Sequence, residues 1–561
     1  MLQKDLLAGL TVAFVALPQC MAYALLAGVP PQYGLYAFMV ASIVGSLAGS
    51  SRHLQTGPTN ATSVVAASAL AVYVGREDFM AIVFLITLLA GLFQLTLGLL
   101  KLGNLTQLVS RSVLLGFITG AGVLIIANQI PNLLGLAAQG SVSVVGQLGY
   151  VVSSLGDTNR TVLAVGVGTF LVALFLGKVS PKTPAGAPLL PAYLLAILGA
   201  AGAVAFFGFD ARGVRVIGNI PGSLPPLSMP AFSWGLIQDL GPGAVALALI
   251  GLTEAFASAK SVASFSGDRI DANREFVGQG LAKIAVAFFS GIPVSGSPTR
   301  SALMYQAGGE SKAAHVFSSV LLAGLVFTLG PVTRYIPVAS LAGILLIIAV
   351  KMVRWEHVKL AFTATRADAL AFSATFAAAL LLPLADAIYV GVGVSLALFL
   401  KRARVPRVVE LVYDEKNGFS EVADADERPC PEIAIVHVEG SLFFGAADFL
   451  EDKCLKVASR PEVQVLILRL KRTTALDATT LLALGNLSAA MKRQDKLLII
   501  SGATPEVEEL LRRVHLIDVL GPENVFVTHA TILESTKQAL DRGLDYVKEK
   551  RSISPRQPPD P

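Results

Sequence analysis

Two short stretches hold the residues best suited to chemistry. Gly296-Ser297-Pro298-Thr299-Arg300-Ser301-Ala302 and Thr56-Gly57-Pro58-Thr59-Asn60-Ala61-Thr62 are near-copies in like settings. Each follows a hydrophobic run that breaks at glycine and a few extended residues, and each opens a new apolar run with proline at or next to its first turn. That pattern predicts a short strand feeding a half-length helix. Proline has no N–H to lose at such a position, and the hydroxyls of Thr56 and Ser297 can cap the freed donors. A helix N-terminus presents bare N–H groups and a partial positive charge, so two of them facing one another would make an anion site. Arg300, in the first turn of the second copy, adds a full charge, and its planar fork suits a carboxylate or an oxyanion. Its counterpart Asn60 is neutral, so the positive field is lopsided.

Further polar residues belong to the same candidate site. Gln19, Thr59, Ser297 and Thr299 can hydrogen-bond an anion beside the half-helix N–H groups. In apolar surroundings Ser and Thr also serve as interhelical contacts. Glu254 is the carboxylate placed well inside an apolar run, and a carboxylate beside an anion site is what coupling to H⁺ or Na⁺ requires, because its charge can be neutralised as the anion enters. The plainer alternatives are an Arg300 that snorkels or pairs with a carboxylate, and a Glu254 that is the fixed partner of Arg300 or Lys260. Lys283, also in mid-run, reads as a snorkelling or interface residue.

The elements that must position these residues follow from composition. In 561 residues, 54% are hydrophobic and 15% charged, with a mean hydropathy of +0.66; most of the chain belongs in a bilayer. About 20 apolar residues cross the hydrocarbon core. By that measure the predicted spans are 5–25, 32–49, 58–74, 78–100, 110–128, 160–177, 186–207, 240–260, 273–290, 297–308, 313–331, 337–353, 367–383 and 386–402, fourteen in all. The first begins almost at Met1 and is too long for a signal-peptide core, so no separate leader is expected. A broken helix is tolerated inside a membrane where it lines a cavity, which suits the half-helices at 58–74 and 297–308.

With these spans, one set of loops and ends carries Lys4, Arg52, Lys101, Arg111, Lys178, Lys182, Arg269, Arg274, Lys312, Lys351, Arg354, Lys359 and Arg366, before the basic run at 401–404. The other carries Arg76, Arg160, Arg212, Arg215 and Arg334. The positive-inside rule then puts both termini in the cytoplasm. Leu102-Gly103-Asn104-Leu105-Thr106 answers Leu329-Gly330-Pro331-Val332-Thr333 at an offset close to that of the half-helices, and extending the offset upstream sets Gln19 opposite Glu254. Seven spans per repeat is odd, so the architecture expected is seven plus seven, inverted. Gly116, Gly120, Gly343, Gly391 and Gly393 are expected to permit close helix packing.

After residue 403 the character changes. Residues 404–431 read as a charged linker, 432–550 as a small α/β domain, and 551–561, with four prolines, as a disordered tail. Strands are predicted at 433–438, 463–470, 497–501 and 525–528, alternating with helices near 446–458, 478–493, 505–514 and 530–548; Asp477 and Thr504-Pro505 stand where caps belong. The three cysteines, Cys20, Cys430 and Cys454, have no motif spacing, so neither a disulfide framework nor a metal site is indicated. The formal charge of +5 marks no nucleic-acid surface.

The stretch Leu17-Pro18-Gln19-Cys20-Met21-Ala22-Tyr23-Ala24, followed by Gly28-Val29-Pro30-Pro31-Gln32-Tyr33-Gly34-Leu35-Tyr36, resembles the signature of the sulfate permease (SulP) family of anion transporters, and the soluble part resembles their STAS domain. The resemblance implies a core and a gate domain, with a small anion bound at the midplane between the half-helices and the first and eighth spans. An acidic residue at the position of Glu254 is associated there with cation coupling. Related regulatory domains carry an Asp-Ser-Ser-Gly motif phosphorylated on serine; here the residues are Asp477-Ala478-Thr479-Thr480, so regulation by phosphate is not expected, and cytoplasmic interaction, including homodimerisation, is the plainer role. The expectation is a secondary transporter working by alternating access on a dicarboxylate such as fumarate or an oxyanion such as sulfate or bicarbonate, taken up with H⁺, Na⁺ being the other coupling ion. A nucleobase permease of the same fold and a non-transporting anion sensor are the alternatives. No phosphate loop, triad or metal cluster is evident, so neither an enzymatic role nor a cofactor is expected.

Overall fold

The computed structural model describes residues 2–103, 110–137, 144–181, 191–403, 406–414, 418–421, 430–442, 444–528 and 533–553. The chain divides into two compact units, Met1–Leu396 and Ala397–Pro561.

The first unit is helical. In order it holds α1 (Leu2–Leu26), α2 (Pro31–Ala48), β1 (Thr56–Gly57), α3 (Asn60–Leu70), α4 (Phe79–Leu99), α5 (Arg111–Leu134), α6 (Val144–Ser153), α7 (Arg160–Val179), α8 (Ala192–Phe207), α9 (Trp234–Ser266), α10 (Ala272–Phe288), β2 (Ser295–Gly296), α11 (Pro298–Gln306), α12 (Ala313–Thr333), α13 (Val338–Met352), α14 (Trp355–Ala364), α15 (Arg366–Leu381) and α16 (Leu384–Ala403). Every predicted apolar stretch coincides with a helix. Among the described residues eight helices are long and apolar enough to cross a membrane. Two helices were not expected: α6 is too short to register as a span, and α14 carries Glu356, His357 and Lys359 and buries only Ala361. Residues 104–106 of the proposed Leu-Gly repeat lie outside the described residues.

Small residues set the helix spacing. A Cβ on Gly91 of α4 would stand 2.9 Å from the Ile284 backbone nitrogen of α10, and one on Gly116 of α5 would stand 2.5 Å from the Phe372 carbonyl of α15. Backbones this close trade side-chain volume for packing contact, which is how helices associate in lipid. Gly393 departs from the expectation, with nothing within 4 Å of its Cβ position.

The half-helices form as expected, with one correction. Strands β1 and β2 pair antiparallel, Thr56 with Gly296 and Gly57 with Ser295, so equivalent segments of the two halves meet about a local two-fold. The cap of α3 is Thr59, whose hydroxyl accepts from the Thr62 N–H in a capping box. Thr56 does not cap: it precedes the helix by too many residues, and its hydroxyl instead accepts from Gln279 Nε2 at 2.8 Å. In α11 Ser297 caps and Pro298 occupies the first turn, as the sequence indicates.

The second unit is an α/β domain: β3 (Arg407–Asp414), β4 (Gly418–Glu421), β5 (Ile433–Leu442), α17 (Phe444–Ala458), β6 (Val465–Leu476), α18 (Ala478–Arg493), β7 (Leu497–Ala503), α19 (Pro505–Arg513), α20 (Leu516–Leu520), β8 (Val525–Val527) and α21 (Glu534–Ile553). The sheet runs β4-β3-β5-β6-β7-β8, parallel from β5 to β8. Period-2 alternation divides its side chains: Val436, Leu468 and Ile500 pack in one core with Leu450, Leu484 and Leu511, while Ile435, Ile467 and Ile499 pack in another with Ala539 and Val547. The segment read as a linker instead begins the sheet at Arg407, because Val408, Leu411 and Val412 are strand formers that pair with β5 and β4. Asp477 caps α18, accepting from Thr480 N–H at 2.9 Å and from Phe444 N–H at 2.5 Å. Burial pushes its carboxyl up, but these hydrogen bonds outweigh that and hold it below the usual range. Of the tail, α21 extends to Ile553; 554–561 lie outside the described residues.

Candidate functional site

Helix α9 runs unbroken past the two half-helices and brings Glu254 to the mouth of the first. Glu254 Oε2 accepts a hydrogen bond from Thr59 Oγ1 at 2.8 Å, so one threonine both caps α3 and orients the carboxylate. The second half-helix is fixed from the other side. Gln55 N–H donates to Ser301 Oγ at 2.9 Å, Ser297 N–H donates to the Gln55 carbonyl at 2.9 Å, and Ser301 Oγ donates back to the Ser297 carbonyl at 2.6 Å.

The approach of the two halves is possible because each crossing strand carries glycine. A Cβ on Gly57 would stand 2.9 Å from Phe38 Cδ2 and 3.1 Å from Arg300 Nη2, and one on Gly296 would stand 2.8 Å from the Ala255 Cα. The space behind Gly57 is filled by Arg300. Its guanidinium donates from Nη2 to the Pro58 carbonyl at 2.7 Å and from Nη1 to Gln19 Oε1 at 3.4 Å, and it lies 5.6 Å from the Phe38 ring centroid. The side chain is wholly buried, and its Nε has no partner in the described structure. A buried arginine with a ring at one face and one N–H left over holds a fixed charge behind the helix ends.

A cavity of about 1320 Å³ opens in front of these groups. Gln19, Thr59, Asn60, Glu254, Ser297 and Thr299 all line it, so these sequence-predicted residues converge on one wall. Arg300 is outside that lining, its guanidinium turned to Pro58 and Gln19. Tyr23, one helical turn beyond Gln19 on α1, lines the cavity too; its i, i+4 spacing from Gln19 was the signal that could have found it. Further along, the lining includes Arg111, Lys178, Lys260, Lys351 and Arg354, against the carboxylate of Asp368. Lys260 does not pair with Glu254; its ammonium lies 4.6 Å from the Phe256 ring centroid.

Lys283 corrects the sequence reading. It neither snorkels nor reaches an interface: it is fully buried, and its ammonium donates to Gln94 Oε1 at 2.9 Å. The reason is packing, since Gly91 and Gly280 draw α4 and α10 too close for a long side chain to climb out between them.

This arrangement can hold a small anion: two helix N-termini at one wall, hydroxyl and amide donors between them, a guanidinium behind and one carboxylate beside. Residues 2–375 match the sulfate permease family and 427–532 the STAS domain. YvdB of Bacillus subtilis (strain 168), provisionally named a sulfate transporter, is 31% identical over 533 residues, covering 94% of this chain and 97% of its own. Sulfate transporter 1.3 of Arabidopsis thaliana is 26% identical over 568 residues, covering 96% of this chain and 85% of the relative. Among solved structures, the inward-facing murine Slc26a9 anion transporter superposes with a TM-score of 0.87 at 18% identity, over 97% of this chain and 92% of that one. The transmembrane domain of the cyanobacterial bicarbonate transporter BicA superposes at 0.60 and 25% identity, over 70% of this chain and 97% of its own. Members of the matched family are transporters, not enzymes. The chain belongs to the sulfate permease family and is a multi-pass membrane transporter of small anions with a C-terminal STAS domain.

Proposed function

We propose that this transporter takes up a di-anion together with H⁺, Glu254 being the group whose protonation couples the two fluxes and Gln19, Thr59, Asn60, Ser297 and Thr299 the anion's direct partners. The observation that carries this reading is the hydrogen bond from Thr59 to Glu254: the residue that caps a half-helix at the anion wall also touches the carboxylate, so loading the anion and loading a proton act on one hydroxyl. Arg300 supplies fixed positive charge behind the wall. Sulfate is the first candidate, since the relatives bear that name; a C4-dicarboxylate such as fumarate meets the same field by charge, and bicarbonate is the third.

The basic residues Arg111, Lys178, Lys351 and Arg354 that continue the cavity lie on helix ends read as cytoplasmic, which supports an inward-open state. In this reading the chain crosses the cell membrane fourteen times as two inverted repeats of seven, with both termini in the cytoplasm, and the STAS domain serves cytoplasmic association, homodimerisation included. Family membership sets aside a nucleobase substrate.

The test is labelled uptake into proteoliposomes for sulfate, bicarbonate and fumarate, with and without an inward proton gradient, for wild type and Glu254→Gln. One anion should accumulate only with the gradient, and the variant should lose that dependence. Uptake indifferent to the gradient removes Glu254 from coupling, and no uptake of any anion leaves the sensor reading.

A further inference from the structure

A lysine in the middle of a membrane helix needs a reason. Lys283 of α10 is fully buried, yet its hydrogen-bond partner is a neutral amide, Gln94 Oε1 of α4. That amide is itself fixed, donating from Nε2 to the Ala248 carbonyl of α9 at 2.7 Å. The ammonium rests against α9 at Gly251, where a Cβ would stand 3.1 Å from Nζ and 3.0 Å from Gln94 Nε2. The Gly251 carbonyl accepts from Ser295 Oγ at 2.9 Å, in the strand that leads to the second half-helix. Glycine, glutamine and helix spacing are thus all arranged around the buried amine of Lys283.

Glu254 follows three residues after Gly251 on α9, one helical turn beyond the point where the ammonium rests. On the half-helix side Arg300 holds the carbonyl of Pro58, the residue before the threonine that donates to Glu254. A buried carboxylate beside an anion site has to be balanced by a proton, by an alkali cation or by a cation of the chain itself. Lys283, against the preceding turn of α9, is placed to be that cation of the chain.

We infer that Lys283 is a tethered cation standing in for an alkali ion at Glu254, which makes the transporter indifferent to Na⁺ and confines its coupling to protons. This rests on Glu254 being the coupling group of the proposed function. An arriving Na⁺ meets the like charge of Lys283, whereas a proton joins the carboxylate itself and needs no room. The formal charges agree with the substrate class: Arg300 and Lys283 against ionised Glu254 leave a single positive charge, and protonation of Glu254 makes it two, the complement of a di-anion. Lys283 is a specificity-determining residue acting through Glu254, with no contact to the anion.

The experiment uses the purified full-length protein and two readouts. Labelled sulfate uptake is measured at fixed pH with either Na⁺ or choline outside, and melting temperature is measured in the same two salts. Wild type should show no preference in either. Lys283→Gln, which keeps an amide beside Gln94 but loses the charge, should gain a several-fold stimulation of uptake by Na⁺ or an upward melting shift specific to Na⁺, and Lys283→Gln/Glu254→Gln should lose that response. A wild type that already responds to Na⁺ overturns the inference, as does a folded Lys283→Gln that ignores Na⁺ in both readouts. Should the single variant not fold, recovery of the double variant as a monodisperse, Na⁺-blind protein supports the pairing of the two charges, and failure to recover it overturns the pairing. Absence of anion uptake by wild type counts against the proposed function alone, because the melting shift still reports Na⁺ at Glu254.

Discussion

Arg300 Nη2 donates to the carbonyl of Pro58 at 2.7 Å, so the first turn of one half-helix holds the entry to the other. The two residues are 242 positions apart, and neither lies in the sequence context of the other. The arginine is therefore a cross-brace between the half-helices, and in the proposed function it is also the charge behind the anion wall.

Arg300→Ala should abolish anion uptake while the protein remains folded, at a stability cost of about 1–3 kcal/mol for the unsatisfied Pro58 carbonyl. Arg300→Lys keeps the charge but cannot reach Pro58 and Gln19 together, and should retain a reduced fraction of uptake. Proteoliposome flux paired with melting temperature separates the two roles; unchanged flux in Arg300→Ala would remove the residue from function.

Gly57 gives an independent route to the same brace. Its Cβ position is 2.9 Å from Phe38 and 3.1 Å from Arg300 Nη2, so Gly57→Val should push the guanidinium off Pro58 and reproduce much of the Arg300→Ala defect. Gly393→Ala, with open space around it, is the control and should transport normally. Equal uptake by both glycine variants would show that the close approach is not needed.

The sequence made the half-helices legible because proline, glycine and hydroxyl residues recur in one order at both, and each of these has a local job. It also pointed to Gln19, Thr59, Asn60, Glu254, Ser297 and Thr299, which converge on one cavity wall. What it could not convey was three-dimensional reach. Thr56 reads as the cap on paper, and only the point where α3 starts moves that role to Thr59. Arg300 faces backwards because Gly57 leaves room there. Lys283 looked like a snorkelling side chain because the closeness of α4 and α10 depends on pairs of glycines far apart in the chain. The strands at 407–414 and 418–421 were hidden by their charged residues; the second of them is the edge of the sheet and the first its neighbour.

Asp268, in the turn after α9, should make stability fall in acid. It accepts from Arg52 Nε at 2.8 Å and pairs with His53 Nδ1 at 3.1 Å, while His53 Nε2 reaches the Gly309 carbonyl beyond α11 at 3.0 Å. Burial pushes the carboxyl up, but Arg52 and His53 outweigh it and hold Asp268 below the ordinary carboxylate range. A depressed carboxyl contributes stability at pH above that ordinary range and loses it as pH falls through the depressed value. Melting temperature measured from neutral to acid pH should therefore drop less steeply for Asp268→Asn, which starts from a lower value at neutral pH. Parallel curves for the two proteins would show that Asp268 takes no part.

The antiparallel ladder between Thr56–Gly57 and Ser295–Gly296 bears on the energetics of a whole transport cycle. Under the proposed function, a site whose halves are stitched by backbone hydrogen bonds and braced by Arg300 should pass from one face of the membrane to the other without being taken apart. An anion bound to it should then meet the same direct partners on both faces, so that the gradients rather than the site set the direction of net flow. Such a carrier is a reversible machine: inverting the gradients inverts the flow, and with label on one side and cold anion on the other it should run counterflow at no net cost.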